Sequence, residues 1–292
     1  MKLSDFLDTE SIANDASFQL THYANSIHPG TCTFAANELF LQQALDNPNV
    51  SAIIAPRSLV AGRDFDKGLV FSNAPKELFF ELHNKAFCSG GFNIVFGQSI
   101  SANAKISPTA VIKADVLIED GVVVDDFAVV ESNTIIRKGA YVGAHAVVGA
   151  RGMHDTFLNG KRIWVHDAGG VILEQDVQVL AHAVVQKSYF REFTKIGCQS
   201  IVSVHCNIGH GCQVGVNTLI AGSAQLAGYV QVGNNVWVGP SVTVAHGLKI
   251  GDSAELLLGS VAVSDVAESQ KVSGNFAMAH SKTLKKYARE SR

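Results

Sequence analysis

Aliphatic residues recur every six positions through the middle of this chain, and that period constrains the fold more than any other feature. Ile106, Ile112, Ile118, Val124, Val130, Ile136, Val142 and Val148 form a first stretch. Leu173, Val179 and Val185 form a second. A third runs from Ile196 to Leu256 without a miss, through Val202, Ile208, Val214, Ile220, Leu226, Val232, Val238, Val244 and Ile250. A period of six matches neither the helical 3.6 nor simple strand alternation. It predicts a parallel β-helix, in which each short strand turns one aliphatic side chain into the tube. Small residues often follow the aliphatic one, as in Ile208-Gly209, Val232-Gly233 and Ile250-Gly251.

The 22 repeats make about seven turns at three per turn. The phase breaks at 149–168, where Asn159-Gly160 between apolar and basic residues predicts a tight hairpin. It breaks again at 186–195 (QKSYFREFTK), where eleven residues stand in place of an expected twelve. Ahead of the repeats, residues 1–98 read as a separate α/β domain, with strands over Val50–Pro56 and Gly68–Phe71 and a helix from Pro75 to Phe87. The coil is assigned to 99–267, and 268–292 to an extension ending in a short helix.

A net charge of −3 gives no basic field for nucleic acid or anionic membrane. No apolar run approaches a membrane span, and MKLSDFLDTE lacks the apolar core of a signal peptide, so a cytoplasmic location is expected. The five cysteines form no disulfide framework; Cys206 and Cys212 fall four places after repeat positions, where small residues pack inward.

His210 and His246 each stand two places after a repeat position and 36 residues apart, which places them on one face about 10 Å apart at two strand spacings. Gly228 lies one turn above His210. An imidazole beside a free amide suits acyl transfer: the ring takes the nucleophile's proton and the N–H holds the oxyanion. Two solvent-exposed histidines would give the same spacing. His205, Cys206, His210 and Cys212 could be read as a zinc set, but their spacing is unusual and the cysteines point inward, so no metal is expected.

The segment from His210 to Gly233 (HGCQVGVNTLIAGSAQLAGYVQVG) resembles the catalytic segment of hexapeptide-repeat acyltransferases. Gly30-Thr-Cys-Thr-Phe-Ala-Ala-Asn-Glu-Leu-Phe40, Ala52–Pro56, Asn73–Pro75, the inserted loop and Val272-Ser-Gly-Asn-Phe-Ala277 together resemble the UDP-3-O-acylglucosamine N-acyltransferases of lipid A biosynthesis. The resemblance implies a left-handed coil and a homotrimer with acyl sites between subunits. It implies transfer from an acyl carrier protein or coenzyme A thioester to the amine of a UDP-sugar, with no tightly bound cofactor. His210 is then the general base and Gly228 the oxyanion donor; His246, on the same face by its spacing, is counted with them as catalytic. Phe34, Asn37 and Phe40 would contact the uracil, with plain core packing the alternative for the two phenylalanines; the basic tail (Lys282, Lys285, Lys286, Arg289, Arg292) would meet the donor if that is a carrier protein, and is otherwise solvated. An acetyl-coenzyme A-dependent amino-sugar acetyltransferase and a non-catalytic scaffold coil are the alternatives. The chain departs from the family at Ser203, where a carboxylate seven places before the histidine would orient the imidazole. His205 is a possible replacement. Phe40 stands where tyrosine is usual, and the loop lacks the family's glycine-aromatic-glycine motif.

Overall fold

A computed structural model describes residues 1–63, 66–92, 94, 96–158 and 160–274, with 280, 282 and 289. The helix expected in the tail falls almost wholly outside these residues, as do Asn159 of the expected hairpin and residues 275–277 of the segment following the coil.

The first domain is built on β1 (Ile12–Asn14), β2 (Leu20–Thr21), β3 (Thr31–Phe34), β4 (Val50–Ala55) and β5 (Gly68–Phe71). They form one sheet in the order β1-β5-β4-β3-β2, parallel except where β1 meets β5. Helices α1 (Glu38–Asp46), α2 (Arg57–Val60) and α3 (Pro75–Cys88) follow β3, β4 and β5. Pro75 opens α3 at a position where its missing N–H costs nothing. Ala52, Ile53, Ile54 and Ala55 of β4 are fully buried, which explains why this central strand reads as a continuous apolar run.

The first domain does not close its core alone. Val165 and Ala168 from the first phase break, and Tyr189 and Phe190 from the second, pack with Phe18, Phe79, Phe80 and Leu82. His83 of α3 is fully buried in this seam. Its Nε2 lies 2.8 Å from the His166 carbonyl and its Nδ1 2.6 Å from Thr21 Oγ1. A carbonyl only accepts, so Nε2 carries the proton and Nδ1 accepts from the threonine. Burial pushes His83 down to about 4.

The remainder is mainly β: a three-sided parallel β-helix with faces of nine, eight and eight strands. Partners normally lie eighteen residues apart, as in Val124 with Val142 and Val214 with Val232. Every repeat residue from Ile118 to Leu256 faces one continuous core that includes Val148, Val185 and Ile208. Among the described residues the coil has a little over eight turns rather than seven, because three more strands pair: Ser99–Ile100, one hexad before Ile106, Val261–Ala262, with only alanine at the repeat position, and Lys271–Val272, off the six-residue phase. It therefore runs past residue 267, the boundary the repeats suggested. Cys206 and Cys212 are buried as expected, their thiols donating to the carbonyls of Ala221 and Ala227 at 3.0 and 3.1 Å.

Both phase breaks are insertions. Val148 pairs with Val185, so the first adds nineteen residues, including an antiparallel hairpin of Asp155–Leu158 with Lys161–Trp164. Val185 pairs with Ile208, so the second adds five residues to a turn. It is not a repeat shortened by one residue. The hexads on either side stay in register only because 188–192 leaves the tube and drives Phe190 into the first domain, within 4.6 Å of His22 and 5.1 Å of Tyr23.

Candidate functional site

His210 leaves the end of one coil strand and its ring stands over Gly228 on the turn above. A Cβ built on Gly228 would lie 2.1 Å from both Cε1 and Nε2 of His210, so only glycine admits this approach. The ladder takes the flanking amides, Ala227 to the Val244 carbonyl and Tyr229 to the His210 carbonyl, and no acceptor among the described residues takes that of Gly228. The imidazole and the free donor that spacing placed together are together.

His210 is not an ordinary outward residue. The first insertion brings the His154 ring to 4.1 Å, and Tyr189 of the second insertion stands at 5.0 Å. Tyr229 closes the far side at 5.1 Å, its backbone at φ +60 in the left-handed turn of the coil. His246 is 5.9 Å away, nearer than two strand spacings allow for parallel side chains, because both rings lean over the space that Gly228 leaves. Burial, then the neighbouring His154 and His246, push His210 down to about 3. Burial does the same to His154, to about 4, helped by Arg151 and His246. Both rings are therefore neutral near pH 7. His210 Nδ1 is buried with no partner among the described residues, so nothing takes the place of the carboxylate missing at Ser203.

His205 does not supply it. Its ring stacks at 5.0 Å on His182, which stacks at 5.0 Å on His145, along an exposed corner of the coil. The carboxylate present near the site is Glu192, from the second insertion, and it faces His22 at 3.3 Å. Ser188 Oγ donates to its other oxygen at 3.0 Å. Beside this pair opens a cleft of about 710 Å³ lined by His22, His28, Glu192, Tyr229, His246 and Lys249 among others. That volume lies within the roughly 300–1,000 Å³ of small-molecule sites.

Phe34, Asn37 and Phe40 do not line this cleft. Phe34 packs on Phe79 at 5.0 Å. Asn37 caps α1, its Oδ1 accepting from the Phe40 N–H at 3.0 Å. Phe40 is 44% exposed on that helix. Sequence reasoning missed His154, Tyr189, Tyr229, Glu192 and His22. The two phase breaks flag the segments that carry His154, Tyr189 and Glu192; nothing in the spacing flags His22. Among the described residues no cluster of three or more His, Cys, Asp or Glu could hold a metal ion, and no helix is long and apolar enough to cross a membrane.

No family model and no curated protein matches the chain. Among solved structures it is similar to the UDP-N-acetylglucosamine acyltransferase of Campylobacter jejuni, at 22% identity over 59% of this chain and 72% of that one, with a TM-score of 0.48. LpxA from Acinetobacter baumannii aligns at 23% identity over 66% of this chain and 78% of its own, with a TM-score of 0.47. The acetyltransferase domain of PglB from Neisseria gonorrhoeae FA1090 aligns at 15% identity over 85% of this chain and 97% of its own, with a TM-score of 0.21.

Proposed function

We propose that this chain is an acyltransferase that moves an acyl group from a pantetheine thioester, on an acyl carrier protein or coenzyme A, to the amine of a UDP-linked amino sugar. The observation that supports it is the His210 imidazole held over the unclaimed Gly228 amide. The acceptor nitrogen attacks the thioester carbonyl, and its proton passes to His210 Nε2. The Gly228 N–H holds the oxyanion while it lasts. The C–S bond then breaks and the thiolate leaves with the proton. A ring neutral near pH 7 is in the correct state to begin this sequence.

The active form in this reading is a homotrimer, with acyl sites between adjacent coils. An outward apolar column on one face, Ile201, Leu219 and Trp237 in register on successive turns, suits contact with a second coil. The test pairs acyl carrier protein and coenzyme A thioesters of graded length with UDP-sugars bearing a free amine or only hydroxyls, and follows acylated sugar by mass spectrometry. Transfer to the amine is expected. Product on the hydroxyl alone would replace N-acylation with O-acylation, and no product from any pair would remove the transferase reading. Light scattering should give three chain masses; a monomer at micromolar concentration would rule out an intersubunit site.

A further inference from the structure

Glu192 is the one carboxylate among the described residues lining the cleft, whose wall includes His246 at 5.9 Å from His210, and nothing in the coil repeat requires it there. The five-residue insertion that carries it has two effects. Phe190 locks into the first domain, fully buried, and Glu192 is left at the cleft wall with its side chain 18% exposed. Three polar side chains approach its carboxylate. Ser188 Oγ donates to Oε1 at 3.0 Å, and the Nε2 atoms of His22 and His28 stand 3.3 and 4.0 Å from Oε2. The His22 contact has the distance of an ion pair without the alignment of a hydrogen bond, so Oε2 retains capacity to accept. Burial opposes ionisation of this carboxyl. His22, Ser188 and Tyr229 around it nevertheless hold it below the usual carboxylate range, so it is charged near pH 7.

The other charged residues of the lining are basic. Arg191, Lys195 and Lys249 contribute to the same cleft, and Lys195 is paired with Glu174 at 2.8 Å. A cleft with a basic rim and one ionised carboxylate in its wall suits a ligand with an anionic arm and one cationic or hydrogen-donating group. A sugar phosphate without an amine would bring the carboxylate no cationic partner beyond His22. A simple cation would be repelled by the rim.

We propose that Glu192 is the residue that selects an amine acceptor, its carboxylate receiving the amino group of a nucleotide-linked amino sugar seated between Tyr229, His28 and His246. This rests on the acyl-transfer reading for the identity of the ligand and adds the choice of nitrogen over oxygen. The acceptor binds as an ammonium, whose charge-assisted hydrogen bond to the carboxylate a hydroxyl does not match, and it loses one proton to solvent before the neutral amine attacks. Glu192 selects and positions; the proton transfer remains with His210.

The test is calorimetric binding of UDP-glucosamine and UDP-glucose to the full-length wild type, Glu192→Gln and Glu192→Asp, with melting curves for all three. Wild type should bind the amino sugar about tenfold more tightly, the scale of one charge-assisted hydrogen bond. Glu192→Gln should lose that preference while binding UDP-glucose as wild type does. Glu192→Asp, which keeps the charge and shortens its reach, should keep part of the preference. Equal binding of the two sugars by wild type overturns the proposal. So does a Glu192→Gln protein that retains the preference, or one that weakens both sugars alike with a lowered melting temperature, because the carboxylate would then only tie the insertion to the first domain. An acyl-transfer assay on the same proteins separates the two inferences. Wild type that prefers the amino sugar but transfers no acyl group keeps Glu192 in this role and removes the transferase. Wild type that acylates the amine without preferring it in binding does the reverse.

Discussion

Gly228→Ala isolates the arrangement on which the chemistry depends. The added methyl would sit 2.1 Å from Cε1 and Nε2 of His210, where ordinary contact begins near 3.4 Å, so the ring must retreat by more than 1 Å. It cannot retreat freely, because His154, Tyr189 and Tyr229 stand 4.1, 5.0 and 5.1 Å from it. A displacement of about 1 Å from the reacting geometry can cost about a hundredfold in rate, or about 2.7 kcal/mol of barrier. The fold should survive. Gly228 does not adopt a positive φ, so alanine fits its backbone. Fewer unfolded conformations would stabilise by about 0.4–1 kcal/mol and offset part of the crowding of His210. The amide N–H also remains, so the loss reports the imidazole rather than the oxyanion donor. Steady-state transfer with a fixed thioester and UDP-amino sugar, beside a melting curve, measures both quantities. A variant with more than a tenth of wild-type kcat would show that the placement of His210 over Gly228 does not matter to turnover.

Further outcomes follow from the same geometry. A base depressed to about 3 must lose activity only as pH falls through that value, so kcat/KM should stay flat from pH 8 to pH 5 on its account; an acid limb centred near 6.5 that persists after scaling for the fraction of neutral acceptor amine would exclude His210 as the base in this environment. His83 titrates at about 4 when folded against 6.5 in the open chain. The unfolded state thus binds the extra proton, and about 3 kcal/mol of stability present above pH 6.5 should be lost as pH falls toward 4. Urea midpoints of wild type and His83→Gln across that window test this, and equal pH slopes would contradict it. Asn37→Ala should cost about 0.5–2 kcal/mol through loss of the α1 cap. An unchanged melting temperature would refute the cap cost, and weaker UDP-sugar binding beside the expected loss of stability would place Asn37 on the nucleotide as well.

The sequence by itself determined the coil, because each strand repeats one local requirement: an inward aliphatic residue every sixth place, as at Ile208, Val214 and Ile220. It also determined that His210 and Gly228 share a face, since a spacing of eighteen residues is one turn wherever the phase is unbroken. Short buried runs such as β4 and the Pro75 start of α3 were legible for the same local reason. Tertiary structure decided what surrounds the histidine. The break after Val185 looked like one residue lost from two repeats, and only strand pairing shows five residues added to one turn. Those residues place Tyr189 beside His210 and Glu192 beside His22, which lies 170 residues earlier in the chain. Such contacts have no period, because they join an insertion to another domain through shape and burial. The depressed basicity of His210 is likewise a property of its enclosure by His154, Tyr189 and Tyr229. A repeat specifies a position on the tube; the dielectric and the charges around that position come from whatever packs against it.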